Sequence, residues 1–217
     1  MPISLKADDG KESDVEVSIG ADLVSNYIWR GQDLGGVSIQ PTLAISYKGF
    51  SLGSWGSIGF DQTDNKEIDL TLGYENSGFN IGITDYWISG NETFFHFKAK
   101  QTAHVFEGNI GYDFGVVALS WNTNFAGADY CKKDGTRAYS SYFQVDVPFS
   151  LGGVDWSAEL GATPYEGAYA SSFAIVNVSL GASKTLDITK SFSLPLFAKL
   201  TANPSTESLY FAFGLSF

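Results

Sequence analysis

The chain has 217 residues, and no run of about 18 apolar residues occurs in it, which excludes a transmembrane helix. Its single cysteine, Cys131, excludes an internal disulfide framework. Charged residues make up 17% of the chain, below the roughly 25% of a typical soluble domain. Basic residues are the scarcer sign, and the net charge of −11 argues against nucleic acid or an anionic lipid surface as a partner. The first residues contain no apolar export signal, so we expect an exported form to carry its signal peptide outside this sequence.

What the chain does contain is a long alternation of apolar and polar residues. In residues 15–30, the odd positions from Val15 to Trp29 are mostly apolar, and most even positions are polar or glycine. Alternation with period two predicts a β-strand, and its length exceeds the usual five or six residues of a globular strand. Residues 208–217 alternate in the same way and end on Phe217. This ending resembles the terminal strand of bacterial outer-membrane barrels.

The number of strands depends on how residues 89–103 are interpreted. If they form a loop there are twelve alternating segments, and if residues 94–100 form a strand there are thirteen. Only the twelve-strand version alternates short connections with long ones without exception, and single-chain bacterial barrels have an even strand number. We therefore predict an all-β fold, an antiparallel up-and-down transmembrane barrel of about 12 strands. It would span residues 15–217 after a flexible periplasmic leader over residues 1–14, with both termini on the periplasmic side. Pro41 interrupts one segment and predicts a β-bulge.

Alternation alone does not say which face is inside, since a soluble sandwich buries its apolar face and a membrane barrel turns it to lipid. Two features favour the membrane barrel. Aromatic residues of the apolar face gather at strand ends, as at Tyr27 and Trp29, while the strand middles are aliphatic, which is typical of two interfacial girdles. The opposite face is rich in Ser, Thr, Asn and Gly rather than the Lys and Glu of a soluble surface. The predicted location is the bacterial outer membrane, in contact with the lipid bilayer and lipopolysaccharide.

One stretch supports this localisation by resemblance. Residues 23–31 read Leu-Val-Ser-Asn-Tyr-Ile-Trp-Arg-Gly, and Gln40-Pro41 and Gly53-Ser54-Trp55-Gly56-Ser57 follow. This pattern resembles the opening of a family of predicted bacterial outer-membrane proteins named Gcw_chp, over about residues 15 to 60. The family has no assigned activity, so the resemblance implies the barrel and its location and supplies no site residues.

The sequence gives no sign of catalysis, and we expect no enzyme activity, catalytic residue, metal site or cofactor. Neither His96 nor His104 has a serine two residues away, as a barrel phospholipase requires, and no Asp-His dipeptide of the barrel proteases occurs. Both histidines are interpreted as surface or interface residues. Residues 61–65 superficially suggest a calcium loop but lack its Gly and distal Glu, which favours a solvated loop.

The polar face carries many carboxylates and few cations, and in a barrel it would line the lumen. Charged rings in pores set ion selectivity, so the excess predicts a narrow cation-preferring diffusion channel or small-solute porin for small cationic or neutral solutes. Trp55, Tyr86 and Tyr142 share this face and are predicted to constrict it. The predicted pore-lining residues are Glu16, Asp22, Arg30, Glu67, Asp69, Glu75, Glu107, Asp113, Asp146, Asp155, Glu159 and Lys199.

Two alternatives stay open at this point. The interior of a barrel of about eight strands is filled by side chains, and that of a barrel of 16–18 strands is an open channel. Twelve strands lie between these sizes, so the lumen could instead be plugged, with its carboxylates paired to Arg30, Lys48 and Lys199. The protein would then be a closed structural, adhesion or assembly barrel acting through its extracellular loops. The basic loop, residues 127–137, could contact lipopolysaccharide phosphates or a protein partner.

Overall fold

The computed structural model describes residues 3–5, 15–61, 64, 66–89, 93–98, 101–190 and 192–217, in which β-strands are the only regular secondary structure. Within this part of the chain, no helix long and apolar enough to cross a membrane occurs. The strands are β1 (Ile3–Leu5), β2 (Val15–Val24), β3 (Tyr27–Trp29), β4 (Gln32–Gly35), β5 (Ser38–Tyr47), β6 (Phe50–Gly59), β7 (Lys66–Asn76), β8 (Phe79–Ile88), β9 (His104–Asp113), β10 (Ala118–Gly127), β11 (Ser141–Leu151), β12 (Val154–Thr163), β13 (Ala174–Thr189), β14 (Phe192–Asn203) and β15 (Ser208–Ser216).

β2 and the eleven strands from β5 to β15 close into an antiparallel barrel. Each strand pairs with the next along the sheet, and β2 pairs with both β5 and β15, so the predicted fold of 12 strands is confirmed. The described residues of the segment 89–103 form no strand, in agreement with the twelve-strand prediction. β1 pairs with β2 through Ile3–Ile19 and Leu5–Val17, on the edge that β15 leaves uncovered. The rest of the predicted leader lies outside the described residues.

Tight turns join the strands at one end of the barrel, here called the short-turn end. Lys48 and Gly49, between β5 and β6, both have positive φ (48° and 86°), and so do Ser77 and Gly78 between β7 and β8 (51° and 86°). Two consecutive residues with positive φ form the mirror-image turn whose twist matches that of the strands it joins. The longer connections, after β2, β6, β8, β10, β12 and β14, lie at the opposite, long-loop end.

Pro41 does not produce the predicted bulge. On the β2 side the register runs without interruption through the pair Ala21–Pro41. On the β6 side the pairs of Gln40 and Pro41 are missing from the ladder, and the register is the same before them, at Ile39–Ile58, and after them, at Thr42–Trp55. The missing N–H of proline therefore interrupts the ladder without adding a residue to the strand.

The two faces of the barrel wall differ in the predicted way. Large apolar side chains on the outer face are widely exposed, for example Leu72 at 58% and Phe211 at 59%. Polar side chains on the inner face are buried, for example Thr163 at 0% and Asn177 at 2%. A soluble protein rarely shows so large an exposed apolar surface. The barrel is therefore apolar outside and polar inside.

The structure corrects the first predicted strand, residues 15–30. β2 ends at Val24, and Ser25 bonds to Phe213 of β15 through its backbone N–H (2.9 Å) and its hydroxyl (3.0 Å). The chain then leaves the wall as the short hairpin β3–β4. The hairpin turns into the lumen, so Tyr27 and Trp29 lie inside the barrel instead of in an outer aromatic girdle. Residues 27–35 are called the inner hairpin below.

Candidate functional site

The inner hairpin crosses the lumen from β2 to the opposite wall, and Arg30 is at its tip. The Arg30 guanidinium donates from Nη1 to Glu107 Oε2 (2.5 Å) and from Nη2 to Oε1 (2.9 Å), on β9. Nη1 also donates to the hydroxyl of Tyr169 (2.6 Å), which lies in the loop between β12 and β13. The hydroxyl of Tyr86 donates to Glu107 as well (3.0 Å). Both charged side chains of this bidentate pair are buried, at 10% and 2% exposure.

Aromatic rings enclose the same guanidinium. Its carbon lies 4.3 Å from the ring centre of Trp29 and 4.7 Å from that of Tyr142. Val176 is fully buried beside Tyr142 and Tyr169. Such cation–π contacts are worth about 2 kcal/mol or more when they are desolvated. Arg30 is therefore held by charge, hydrogen bonds and packing together.

Gly31 brings the hairpin backbone against the barrel wall. Its φ of +76° is in the left-handed region, and a Cβ there would overlap the carbonyl of Val176. Asn203 of β14 donates its amide to the Gly31 carbonyl (2.9 Å). Only glycine satisfies both the dihedral angle and the close approach. The hairpin tip is thus fixed to several strands around the lumen.

A second group of predicted lumen residues lies behind the hairpin, on β7. Glu67 and Asp69 are 7% and 9% exposed and lie two residues apart on the inner face of β7, so two carboxyl groups share one buried site. Tyr27 of the hairpin lies beside Glu67 and packs on Trp55, with the two ring centres 5.3 Å apart. Asp69 Oδ1 is buried and has no hydrogen-bond partner among the described residues. These side chains fill the lumen on the side that the hairpin tip does not reach.

A third group joins β11, β12, β13 and β14. Lys199 donates to both carboxylate oxygens of Glu159 at 2.7 Å, and Asn177 donates to Glu159 Oε2 at 3.3 Å. Tyr142 donates to Gln144 (2.7 Å), which donates to Asp146 (2.7 Å). A polar cavity of about 240 Å³ lies between this network and the inner hairpin.

The remaining predicted residues do not join these groups. Glu16, Glu75, Asp113 and Asp155 are exposed near the short-turn end, and Asp22 is partly exposed, paired across the sheet with Gln40. The inner face is buried towards the long-loop end, at Glu107 and at Asn122 and Asn124 (8% each). The lumen is thus an acidic vestibule, open at the short-turn end and filled towards the long-loop end. The twelve predicted residues form separate layers rather than one ring.

Described residues of the segment 89–103, among them Phe94 and Phe97, pack against the outside of the barrel and cover His104. The ring of His104 is 0% exposed; its Nδ1 lies 2.8 Å from Asp85 Oδ1 and its Nε2 lies 2.5 Å from the carbonyl of Phe94. The ring therefore connects β9 both to Asp85 of β8 and to Phe94 of the loop. Phe97 stacks on the ring at 4.3 Å. The sequence suggested a surface or interface position for His104, and the structure shows it buried at the interface between the wall and this loop.

The described residues contain no cluster of three or more His, Cys, Asp or Glu side chains with metal-binding geometry. The suggested solvated loop at residues 61–65 lies largely outside the described residues. Sequence reasoning placed Glu107, Glu159 and Lys199 on the inner face but missed Tyr169 and Asn203 as partners of the hairpin. Tyr169 lies in a loop without alternation, and its position between two alanines was the only signal.

Comparison with known protein families gives a match. The sequence model of a family described as "Bacterial protein of unknown function (Gcw_chp)" matches residues 8–206. No curated protein matches the chain. The match extends far beyond the opening segment on which the resemblance was first seen.

Proposed function

We propose a function for this chain, which belongs to the Gcw_chp family of bacterial proteins of unknown function. It is an outer-membrane barrel that acts as a narrow, cation-preferring diffusion channel or small-solute porin, and the inner hairpin is its gate. Small cationic or neutral solutes are the proposed cargo. The short-turn end, with both termini, faces the periplasm.

The apolar outer wall supports the membrane location. Residues such as Leu43, Leu52 and Val178 are 43–57% exposed in the isolated barrel. Burial of apolar surface yields about 25 cal/mol per Å², so a wall of this kind favours hydrocarbon over water. A closed barrel also places each strand between two neighbours that bond to its backbone N–H and C=O groups, as a bilayer demands.

The acidic vestibule supports the preference for cations and carries the proposal. Glu75, Asp113 and Asp155 face its opening, with Glu16 on the neighbouring wall, and a cleft lined by one sign of charge concentrates ions of the opposite sign. Deeper in the lumen, Glu107 and Glu159 are neutralised by Arg30 and Lys199. Selection by charge therefore takes place in the vestibule, before the solute reaches the hairpin.

Conduction requires that the inner hairpin moves out of the lumen. Because Arg30 spans the lumen to Glu107 and Tyr169, a solute passes only when these contacts open. Planar-bilayer recording tests this directly. We expect rare, brief openings for the natural chain. A variant with residues 27–35 replaced by a short Gly-Ser turn should conduct steadily, with a reversal potential in a KCl gradient that shows preference for K⁺.

The matched control removes residues 131–136 from another long loop, which keeps the buried Asp129 and its bonds to Asn124 and Ser140, and should leave the current unchanged. Asp113→Asn combined with Asp155→Asn should reduce the cation preference of the open variant without closing it. Anion preference, or no current after removal of the inner hairpin, would overturn the proposal.

A second candidate, the closed barrel that acts through its outer loops, is favoured by how firmly the hairpin is anchored. The contacts of Arg30, Gly31 and Asn203 fit a permanent plug as well as a gate. In that case, removal of residues 131–136, with Lys132 and Lys133, should abolish binding to lipopolysaccharide or to a protein partner while the barrel stays folded. Under either reading we propose that the chain has no catalytic activity.

A further inference from the structure

A groove of about 780 Å³ crosses the outer wall of the barrel from β2 to β8. Its floor consists of residues with small or compact side chains at one level of the sheet. Ala21 pairs with Pro41, and a Cβ on Gly56 would lie 3.8 Å from the Pro41 ring. Larger outward side chains border this floor: Ile19, Leu43, Ile58, Ile68, Trp87 and Phe217. The groove is a long apolar depression in an otherwise bulky wall.

Its dimensions suit a single hydrocarbon chain. From β2 to β7, where Ile68 closes the floor at the level of Gly56, it crosses three gaps between strands, which at ~4.8 Å each gives about 14 Å. One leaflet of a bilayer provides about 15 Å of hydrocarbon, half of the ≈ 30 Å core. A chain that follows the inclined floor thus remains within one leaflet.

Lys66 gives the groove a polar end. It is the first residue of β7, is exposed, and pairs with Ile58 on the outward face, at the long-loop side of the floor. An apolar trough that ends at an ammonium group complements an amphiphile with an anionic head. The net charge of −11 disfavours binding to an extended anionic surface. It does not prevent the binding of one anionic lipid whose acyl chain is buried in the groove, because distant surface charges are screened by salt.

We infer that this groove binds one acyl chain of a phosphorylated outer-leaflet glycolipid of the lipopolysaccharide type, with a phosphate of its head group at Lys66. The inference rests on the proposed membrane location, which puts the long-loop end in the outer leaflet. It assigns a defined lipid site on the wall, distinct from the lumen and from the basic loop.

Native mass spectrometry of the detergent-purified protein with added lipid A tests the site. The natural chain should retain one lipid A per barrel in preference to phosphatidylethanolamine. Ala21→Leu and Gly56→Leu fill the floor and should lower retention at least tenfold. A Cβ on Gly56 would lie 3.2 Å from the Glu67 carbonyl oxygen, whereas Ala21 already carries a Cβ, so Ala21→Leu remains a test if Gly56→Leu does not fold. Lys66→Ala should remove the preference for lipid A.

Two controls lie on the opposite wall. Ala158→Leu, outward on β12, and Lys184→Ala, outward on β13, should leave retention unchanged. Equal retention by all variants, a preference for phospholipid, or several lipids bound without preference would overturn the site. A natural chain that is monodisperse without detergent would instead refute the membrane proposal itself, so the two failures are distinguishable.

Discussion

Replacement of Arg30 by methionine should be the most costly single substitution in the lumen. It removes two hydrogen bonds to Glu107 and one to Tyr169, and leaves the 2%-exposed Glu107 side chain without its cation. Breaking a buried ion pair by removing one partner costs about 3–5 kcal/mol, because an uncompensated charge stays buried. We expect Arg30→Met to lower the free energy of unfolding by that amount, measured by urea titration in detergent micelles or lipid vesicles.

A double variant separates charge from packing. Arg30→Met with Glu107→Gln removes both charges and should recover a large part of the loss, since the remaining amide can still bond to Tyr86. Lys199→Met breaks a pair whose lysine is 34% exposed, and should cost only about 1 kcal/mol. A loss for Arg30→Met no larger than that for Lys199→Met, or a double variant as unstable as the sum of its single substitutions, would refute the reasoning.

Three further predictions concern other parts of the barrel. Gly31→Ala should destabilise the fold more than Gly115→Ala, by about 1–3 kcal/mol, because both have positive φ but only Gly31 meets backbone; urea titration measures both. His104→Ala should speed tryptic cleavage after Lys98, since the loop loses its bond from His104 to Phe94; unchanged cleavage would contradict this attachment. Burial raises the pKa of Tyr169 to about 12, so stability present below pH ~10 should be lost as the pH rises through ~12, and Tyr169→Phe should abolish this decline.

The strands of the wall could be predicted because each has a polar and an apolar face, and their side chains alternate with period two. The turns at Lys48–Gly49 and at Ser77–Gly78 were readable from residues that tolerate positive φ. The alternation of short and long connections then gave the strand number. These are local signals, and each is complete within a few residues of sequence.

The inner hairpin could not be predicted in the same way. Tyr27 and Trp29 continue the phase of β2, so periodicity gives no sign that the chain leaves the wall after Val24. The partners of Arg30 lie 77 and 139 residues away, at Glu107 and Tyr169. Such contacts follow from the closure of the whole barrel. The sequence placed the right residue types on the inner face but not the layers that they form.

The orientation of the wall is tested most directly with fluorescent probes on neighbouring residues. In a Cys131→Ser background, single cysteines at Leu72 and Ala182 face outward, and those at Thr71 and Ser183 face inward. With the labelled protein in vesicles, lipids that carry a nitroxide on the acyl chain should quench the two outward probes and spare the two inward ones. Equal quenching within each pair, or quenching of the inward probes alone, would contradict the account.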